Sequence, residues 1–82
     1  MNKGLLYFYA DWCTFCPQMS TTLEQVKQQL PVNKINIDYD QSSVERYSVG
    51  SVPTVILIED GNEVKRFTGN KSFNGIIDWL NG

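Results

Sequence analysis

The hydrophobic period of this chain changes within residues 4–30, and it changes at the two cysteines. "GLLYFYA" (4–10) is short, aromatic and apolar, bounded by Gly4 and Asp11, and reads as a buried strand. From Cys13 to Leu30 the apolar residues Met19, Leu23, Val26 and Leu30 recur at steps of four, three and four, with Gln, Lys, Glu and Thr between them. That spacing predicts an amphipathic helix, ended by Pro31. "VNKINID" (32–38) then alternates and predicts a second strand. Strand, helix and strand in this order make a right-handed unit with parallel strands.

The remaining segments complete the order. "SSVE" (42–45) reads as a capping box opening a short helix that ends near "YSVGS". "PTVILIED" (53–60) is almost continuously apolar, the mark of a central strand. Gly61-Asn62 reads as a tight turn, and "EVKRFTG" (63–69) returns as an antiparallel edge strand with charges on its exposed positions. "SFNGIIDWLNG" places Phe73, Ile76, Ile77 and Leu80 on one helical face, despite the cost of Gly75 inside it. The order β-α-β-α-β-β-α predicts an α/β fold: a four-stranded mixed sheet with helices on both faces. With no internal repeat or linker, residues 1–82 are expected to form one domain.

Composition narrows the function classes. An 82-residue chain that is 41% hydrophobic is globular, near the lower limit for a core without staples. Seven Lys+Arg and nine Asp+Glu, scattered, give a net charge of −2, with no basic patch for nucleic acid. The short apolar run at the N-terminus meets Asp11 without a small-residue cleavage site, unlike a signal peptide. No stretch approaches the roughly 18 apolar residues of a membrane span. A cytoplasmic protein without membrane contact is expected, and there a lone CxxC is more often catalytic or metal-binding than a permanent bridge.

Cys13 falls at the strand-to-helix junction, where unpaired backbone N–H groups and the helix dipole favour an anion. A helix N-terminus lowers a thiol pKa from about 8.5 into the range of roughly 3.5–7.5. Cys16 lies one turn further in, within reach of a mixed disulfide formed at Cys13. Position thus assigns Cys13 as nucleophile and Cys16 as resolving thiol. Other readings compete with redox cycling. A structural bridge over two residues constrains little chain entropy. Zinc needs about four ligands, and the chain has two cysteines and no histidine. Inert burial of both thiols is the third.

"SVPT" (51–54) puts Pro53 at the start of the third strand, one of the few places a strand tolerates proline. A cis Val52–Pro53 bond would turn the Val52 backbone toward the cysteines, offering its N–H and C=O to an extended substrate. A trans proline is the ordinary alternative.

With these residues in place, the chain resembles the thioredoxin family over nearly its whole length. "ADWCTFC" (10–16) is similar to the family's A-x-W-C-x-x-C segment, "KINID" (34–38) to its second-strand motif, "SVPT" to its cis-proline motif and "EDGNEVKRFTG" (59–69) to its hairpin. The resemblance implies that Cys13 attacks, Cys16 resolves, and Trp12 and Pro53 frame a substrate groove. There are three departures. The extra strand and helix that thioredoxins carry ahead of the cysteine-bearing strand are not in this sequence, leaving a minimal core as in glutaredoxins. Tyr7 stands where the family has a buried aspartate that handles the resolving thiol's proton; the lysine accompanying that aspartate corresponds to Lys34. Either a Tyr7–Lys34 contact or a lysine tip reaching water is expected, with slower resolution or proton transfer by water. Finally, Thr14-Phe15 replaces the common Gly-Pro. The freed N–H and the Thr14 hydroxyl would stabilise thiolate and raise the potential toward roughly −200 to −230 mV. Phe15 is expected beside Trp12 as an apolar patch, or else folded onto the helix.

The resemblance implies a thiol–disulfide oxidoreductase that reduces protein disulfides, needs no cofactor of its own, works as a monomer and is recharged by an NADPH-dependent thioredoxin reductase. Two alternatives stand beside it. One is a glutathione-dependent, glutaredoxin-like protein, disfavoured because "TGNKS" (68–72) has one Gly and only Lys71 as a charge. The other is an iron–sulfur module holding a cluster between two chains, crowded by Trp12.

Overall fold

Four strands and three helices follow one another in a computed structural model that describes residues 2–82: β1 (Lys3–Tyr9), α1 (Cys16–Val26), β2 (Val32–Asn36), α2 (Gln41–Tyr47), β3 (Thr54–Glu59), β4 (Asn62–Thr68) and α3 (Phe73–Asn81). Met1, the first residue of the expected domain, lies outside the described residues. The sheet order is β2-β1-β3-β4, with β1 and β2 parallel and both β1–β3 and β3–β4 antiparallel. This is the mixed four-stranded sheet that the order of periods predicts.

Alternation along β1 decides which side chains meet which helix. Leu5 and Tyr7 point to one face, where they pack with Met19, Leu23 and Val26 of α1, Val55 and Leu57 of β3, and Ile76 of α3. Phe8 points to the other and meets Tyr47 of α2 edge-on, with ring centroids 6.1 Å apart. The Arg66 guanidinium of β4 donates to the Tyr47 carbonyl at 2.6 Å, tying the end of α2 to the sheet. The helices therefore cover both faces.

Several boundaries differ from the sequence reading, each for a local reason. α1 begins at Cys16 rather than Cys13, with Pro17 in its first turn, where the missing N–H costs nothing. Residues 11–15 form turns, and the Cys13 amide bonds to Ala10 O at 3.2 Å. At its far end the helix tightens after Val26 into shorter bonds, Gln28 to Gln25 and Gln29 to Val26, yet Leu30 still packs on the core.

β2 stops at Asn36 because the Asn36 side-chain oxygen takes the Asp38 amide at 2.9 Å, an Asx turn competing with the sheet. The cap of α2 is Asp40 rather than Ser42: its carboxylate accepts from the Ser43 amide at 3.1 Å and the Ser43 hydroxyl at 2.8 Å. The hairpin turn is Asp60-Gly61, not Gly61-Asn62. Both central residues have positive φ, 53° and 86°, and Glu59 pairs with Asn62. β4 shifts register between Leu57 and Ile58, leaving Val64 as the extra residue of a bulge on this edge strand. In α3, Trp79 joins Phe73, Ile76 and Leu80 against the core in place of Ile77, its ring edge-on to Phe67 at 4.8 Å.

Candidate active site

The end of β1 delivers the chain to Ala10, and the turn that follows brings Cys13 back beside Cys16 at the head of α1. The two form a disulfide with Cα atoms 5.4 Å apart. Phe15 occupies the N-cap position, and no side chain caps the helix. The first-turn amides are thus left to whatever lies at the helix start, which is the cysteine pair. Cys13 retains 7% of its surface and Cys16 2%. The sulfurs are packed among Ala10, Tyr9, Ile37 and Val52.

Around this pair the rim is aromatic and exposed. Trp12 is 66% and Phe15 58% accessible, and Thr14 between the cysteines is also exposed. The Trp12 indole N–H donates to Asp38 Oδ2 at 3.0 Å, which fixes the ring over the loop that leaves β2. Asn36 joins that loop to the cysteine turn: its side-chain amide nitrogen lies 3.5 Å from Asp11 Oδ1.

Val52 packs against the pair and is joined to Pro53 by a cis peptide bond. Pro53 is buried, and its carbonyl accepts the Gly69 amide at 2.9 Å. Thr54 Oγ1 bonds to Ser51 O at 2.8 Å, closing the turn on the other side.

Tyr7 lies beneath, with no exposed surface. Its hydroxyl donates to Cys16 O at 2.9 Å and lies 2.9 Å from Ser20 Oγ. Burial pushes the phenol pKa up, the Ser20 bond pulls it part of the way back, and Tyr9 adds a smaller upward push. Tyr7 is therefore a neutral hydroxyl at physiological pH. Lys34 is exposed, and its ammonium sits 4.8 Å over the Tyr9 ring. Among the described residues no hydrogen bond joins Lys34 to Tyr7, although the two are register partners. Tyr9, stacked on Tyr7 at 5.5 Å, takes the lysine instead.

An open depression of about 210 Å³ lies beside Cys16, lined by Tyr9, Ala10, Asp11, Pro17 and Ser20. It brings solvent up to the inner cysteine. A larger one, about 270 Å³, lies far along β1 among Gly4, Leu6, Pro31 and Tyr47, away from the cysteines.

The structure thus gathers Trp12, Cys13, Thr14, Phe15, Cys16, Val52 and Pro53 at one end of the sheet, with Tyr7 below and Lys34 to one side. Asp38, Asn36, Asp11 and Ser20 also belong to the site and escaped the sequence reading. The polar residues in "NKINID" were the available signal, because Asn36 and Asp38 at a strand end are typical of an Asx turn.

A cysteine pair that closes to a disulfide at an uncapped helix start, on a mixed four-stranded sheet, defines a thiol–disulfide oxidoreductase. Residues 1–82 match the family model described as Thioredoxin. Thioredoxin of Chlamydia pneumoniae is 40% identical over 80 residues, 94% of this chain and 78% of that protein. Among solved structures, a malarial protein superposes with a TM-score of 0.90 at 27% identity, over 99% of this chain and 96% of that one. A mutant thioredoxin from Halobacterium salinarum gives 0.89 at 32% identity, over 96% and 72%. The chain belongs to the thioredoxin family.

Its chemistry is dithiol–disulfide exchange at a redox-active Cys13–Cys16 pair; the glutathione-dependent and cluster-binding alternatives are not favoured. Family membership implies protein disulfides as substrates and a reductase as partner. Among the described residues no helix is long and apolar enough to cross a membrane.

Proposed function

We propose that residues 1–82 act as one monomeric, cytoplasmic unit that reduces protein disulfides and is recharged by a flavin-dependent, NADPH-fed thioredoxin reductase. The observation that carries the division of labour is the difference between the two cysteines. Cys13 keeps some access and borders the exposed Trp12 and Phe15, while Cys16 is nearly closed off above Tyr7.

In the reduced protein the Cys13 thiolate attacks one sulfur of a target cystine. The target S–S bond breaks, a Cys13–target disulfide forms, and the other target sulfur leaves as thiolate and takes a proton from water. Cys16 then loses its proton and attacks Cys13 Sγ. The Cys13–Cys16 disulfide forms, and the second target sulfur leaves and is protonated. Two electrons pass to the target and the enzyme pair is oxidised; NADPH restores it through the reductase flavin.

Trp12, Thr14, Phe15, Val52 and Pro53 form the groove in this reading. The main chain of Val52 aligns the target segment beside Cys13 by strand-like pairing. Tyr7 serves as a positioning residue, holding the carbonyl of Cys16. It does not act as a base, because burial keeps it neutral. Water in the depression next to Cys16 takes the resolving thiol's proton, and Lys34 contributes from its place over Tyr9.

The test is turnover of a protein disulfide with NADPH and thioredoxin reductase, against turnover with glutathione alone. Turnover only with the reductase is expected. Cys13→Ser abolishes reduction and Cys16→Ser accumulates a mixed disulfide. Normal turnover of Cys16→Ser on a protein disulfide would rule out the dithiol mechanism.

A further inference from the structure

The rim beside Cys13 carries more than apolar surface. Trp12 (66% accessible), Phe15 (58%) and Tyr39 (81%) are among the most exposed large apolar side chains of the described residues. Two exposed carboxylates stand among them. Asp38 holds the Trp12 indole and directly precedes Tyr39; Asp11 directly precedes Trp12 and is reached by the Asn36 amide.

Six of the chain's seven Lys and Arg residues are engaged elsewhere, and the seventh, Lys27, is the C-cap at the far end of α1 from the cysteines. Lys34, Arg46, Lys65 and Lys71 each lie over an aromatic ring, those of Tyr9, Tyr47, Trp79 and Phe67. Lys3 faces Glu59 at 3.8 Å, and Arg66 is bonded to Glu63. Among the described residues no cation is recorded over Trp12, Phe15 or Tyr39. Two exposed carboxylates, with the exposed Trp12 and Phe15 flanking the attacking sulfur in the chain and Tyr39 following Asp38, are complementary to a guanidinium or ammonium, which gains both from the charge and from the ring quadrupole.

We propose that this rim selects protein cystines flanked by arginine or lysine, the basic residue lying over Trp12 and Asp38 while the target sulfur meets Cys13. This inference rests on the reading that Cys13 attacks protein disulfides, and it names which ones. An exposed ion pair and a cation–π contact are each worth about twofold to fivefold. Together they give a preference of about tenfold for a basic over an acidic flank.

The test uses three peptides, each with one internal cystine and identical apolar residues, flanked by Arg, Ser or Glu. Their second-order rates with the reduced 82-residue chain are measured at about 20 mM and about 500 mM salt, since screening separates surface charge from packing. Each rate is divided by that for dithiothreitol on the same peptide, which removes the effect of the flanking charge on the leaving sulfur.

The expected order at low salt is Arg above Ser above Glu, with an Arg-to-Glu ratio of about tenfold that shrinks at high salt. Asp11→Asn with Asp38→Asn lowers that ratio by about threefold or more; the Ser peptide separately reports any loss from a looser Trp12. Equal normalised rates overturn the inference and leave the proposed function standing, as does a ratio that the double variant does not change. Failure to reduce all three peptides overturns the proposed function, and the inference with it.

Discussion

The Tyr7 hydroxyl donates to the carbonyl oxygen of Cys16 at 2.9 Å, so a fully buried side chain of β1 grips the first turn of α1 at the inner half of the disulfide. Because the tyrosine proton is committed to Cys16, the Ser20 hydroxyl, 2.9 Å away, is the donor toward Tyr7. Tyr7→Phe keeps the ring and its packing but deletes both bonds. It should lower unfolding free energy at pH 7 by about 1–2 kcal/mol, read from the urea midpoint, with a slower release of target from the mixed disulfide. The same variant has an alkaline signature. The folded state raises the Tyr7 pKa by burial, so the unfolded chain gives up this proton first. The contribution is full below about pH 10 and disappears as pH rises through the folded value. Stability should therefore fall above that pH in the parent and fall less steeply in Tyr7→Phe. Equal slopes would show that Tyr7 is not the group responsible.

Thr14-Phe15 sets a second expectation. Phe15 is the N-cap of an α1 that no side chain caps, so its amide is available to a Cys13 thiolate once the disulfide opens. Stabilising the thiolate stabilises the reduced form and makes the couple more oxidising. A potential of roughly −200 to −230 mV is expected, above the roughly −270 mV of thioredoxin itself. Phe15→Pro removes that N–H and should move the potential down. Equilibration with a glutathione or dithiothreitol buffer measures both. A parent value at or below about −270 mV would sink the idea.

Acid acts at a different point. The Asp40 carboxylate accepts the Ser43 amide and hydroxyl, and these two bonds, the amide first, hold its pKa below the usual value of 3.8. A depressed folded value means that the stabilisation is present above the unfolded pKa and is lost as pH falls through the folded one. α2 should therefore loosen below about pH 4. Asn caps a helix nearly as well but does not titrate. Asp40→Asn should keep the neutral-pH melting temperature and flatten its decline in acid. A variant curve parallel to the parent's would place the acid sensitivity elsewhere.

The elements whose apolar period runs on one face are legible in the sequence, because burial of that face dominates their energy. Met19, Leu23 and Val26 in α1 are of this kind, and β3 is readable instead from an unbroken apolar run buried on both faces. Boundaries were less legible wherever a short polar side chain competes for a backbone group. Asn36 ends β2, Asp40 takes the cap from Ser42, and Asp60-Gly61 takes the turn from Gly61-Asn62. The site divides the same way. The cysteine pair and Pro53 are readable as local motifs. The hold of Asp38 on Trp12 depends on where β2 stops, and the bond of Ser20 to Tyr7 on which face of α1 meets β1. Lys34 illustrates the limit of register: it pairs with Tyr7 along the sheet, yet its ammonium rests on Tyr9.

Gly75 is the one residue of α3 whose helix propensity argues against its place, and the Ser72 cap explains it. Ser72 Oγ accepts the Gly75 amide at 3.1 Å, and a Cβ on Gly75 would stand 3.2 Å from that same oxygen. The oxygen cannot retreat without weakening the cap. Gly75→Ala therefore sets a propensity gain of up to about 1 kcal/mol against a disturbed cap worth about the same. The single substitution should change unfolding free energy by less than about 0.5 kcal/mol, because the two effects cancel. Ser72→Ala alone should cost about 1 kcal/mol. With the hydroxyl gone the crowding goes too, so Gly75→Ala in that background should stabilise by about 0.5–1 kcal/mol. The double-mutant cycle from urea unfolding reads this coupling directly. An additive cycle, or a full propensity gain from Gly75→Ala alone, would mean that the cap oxygen does not select the glycine.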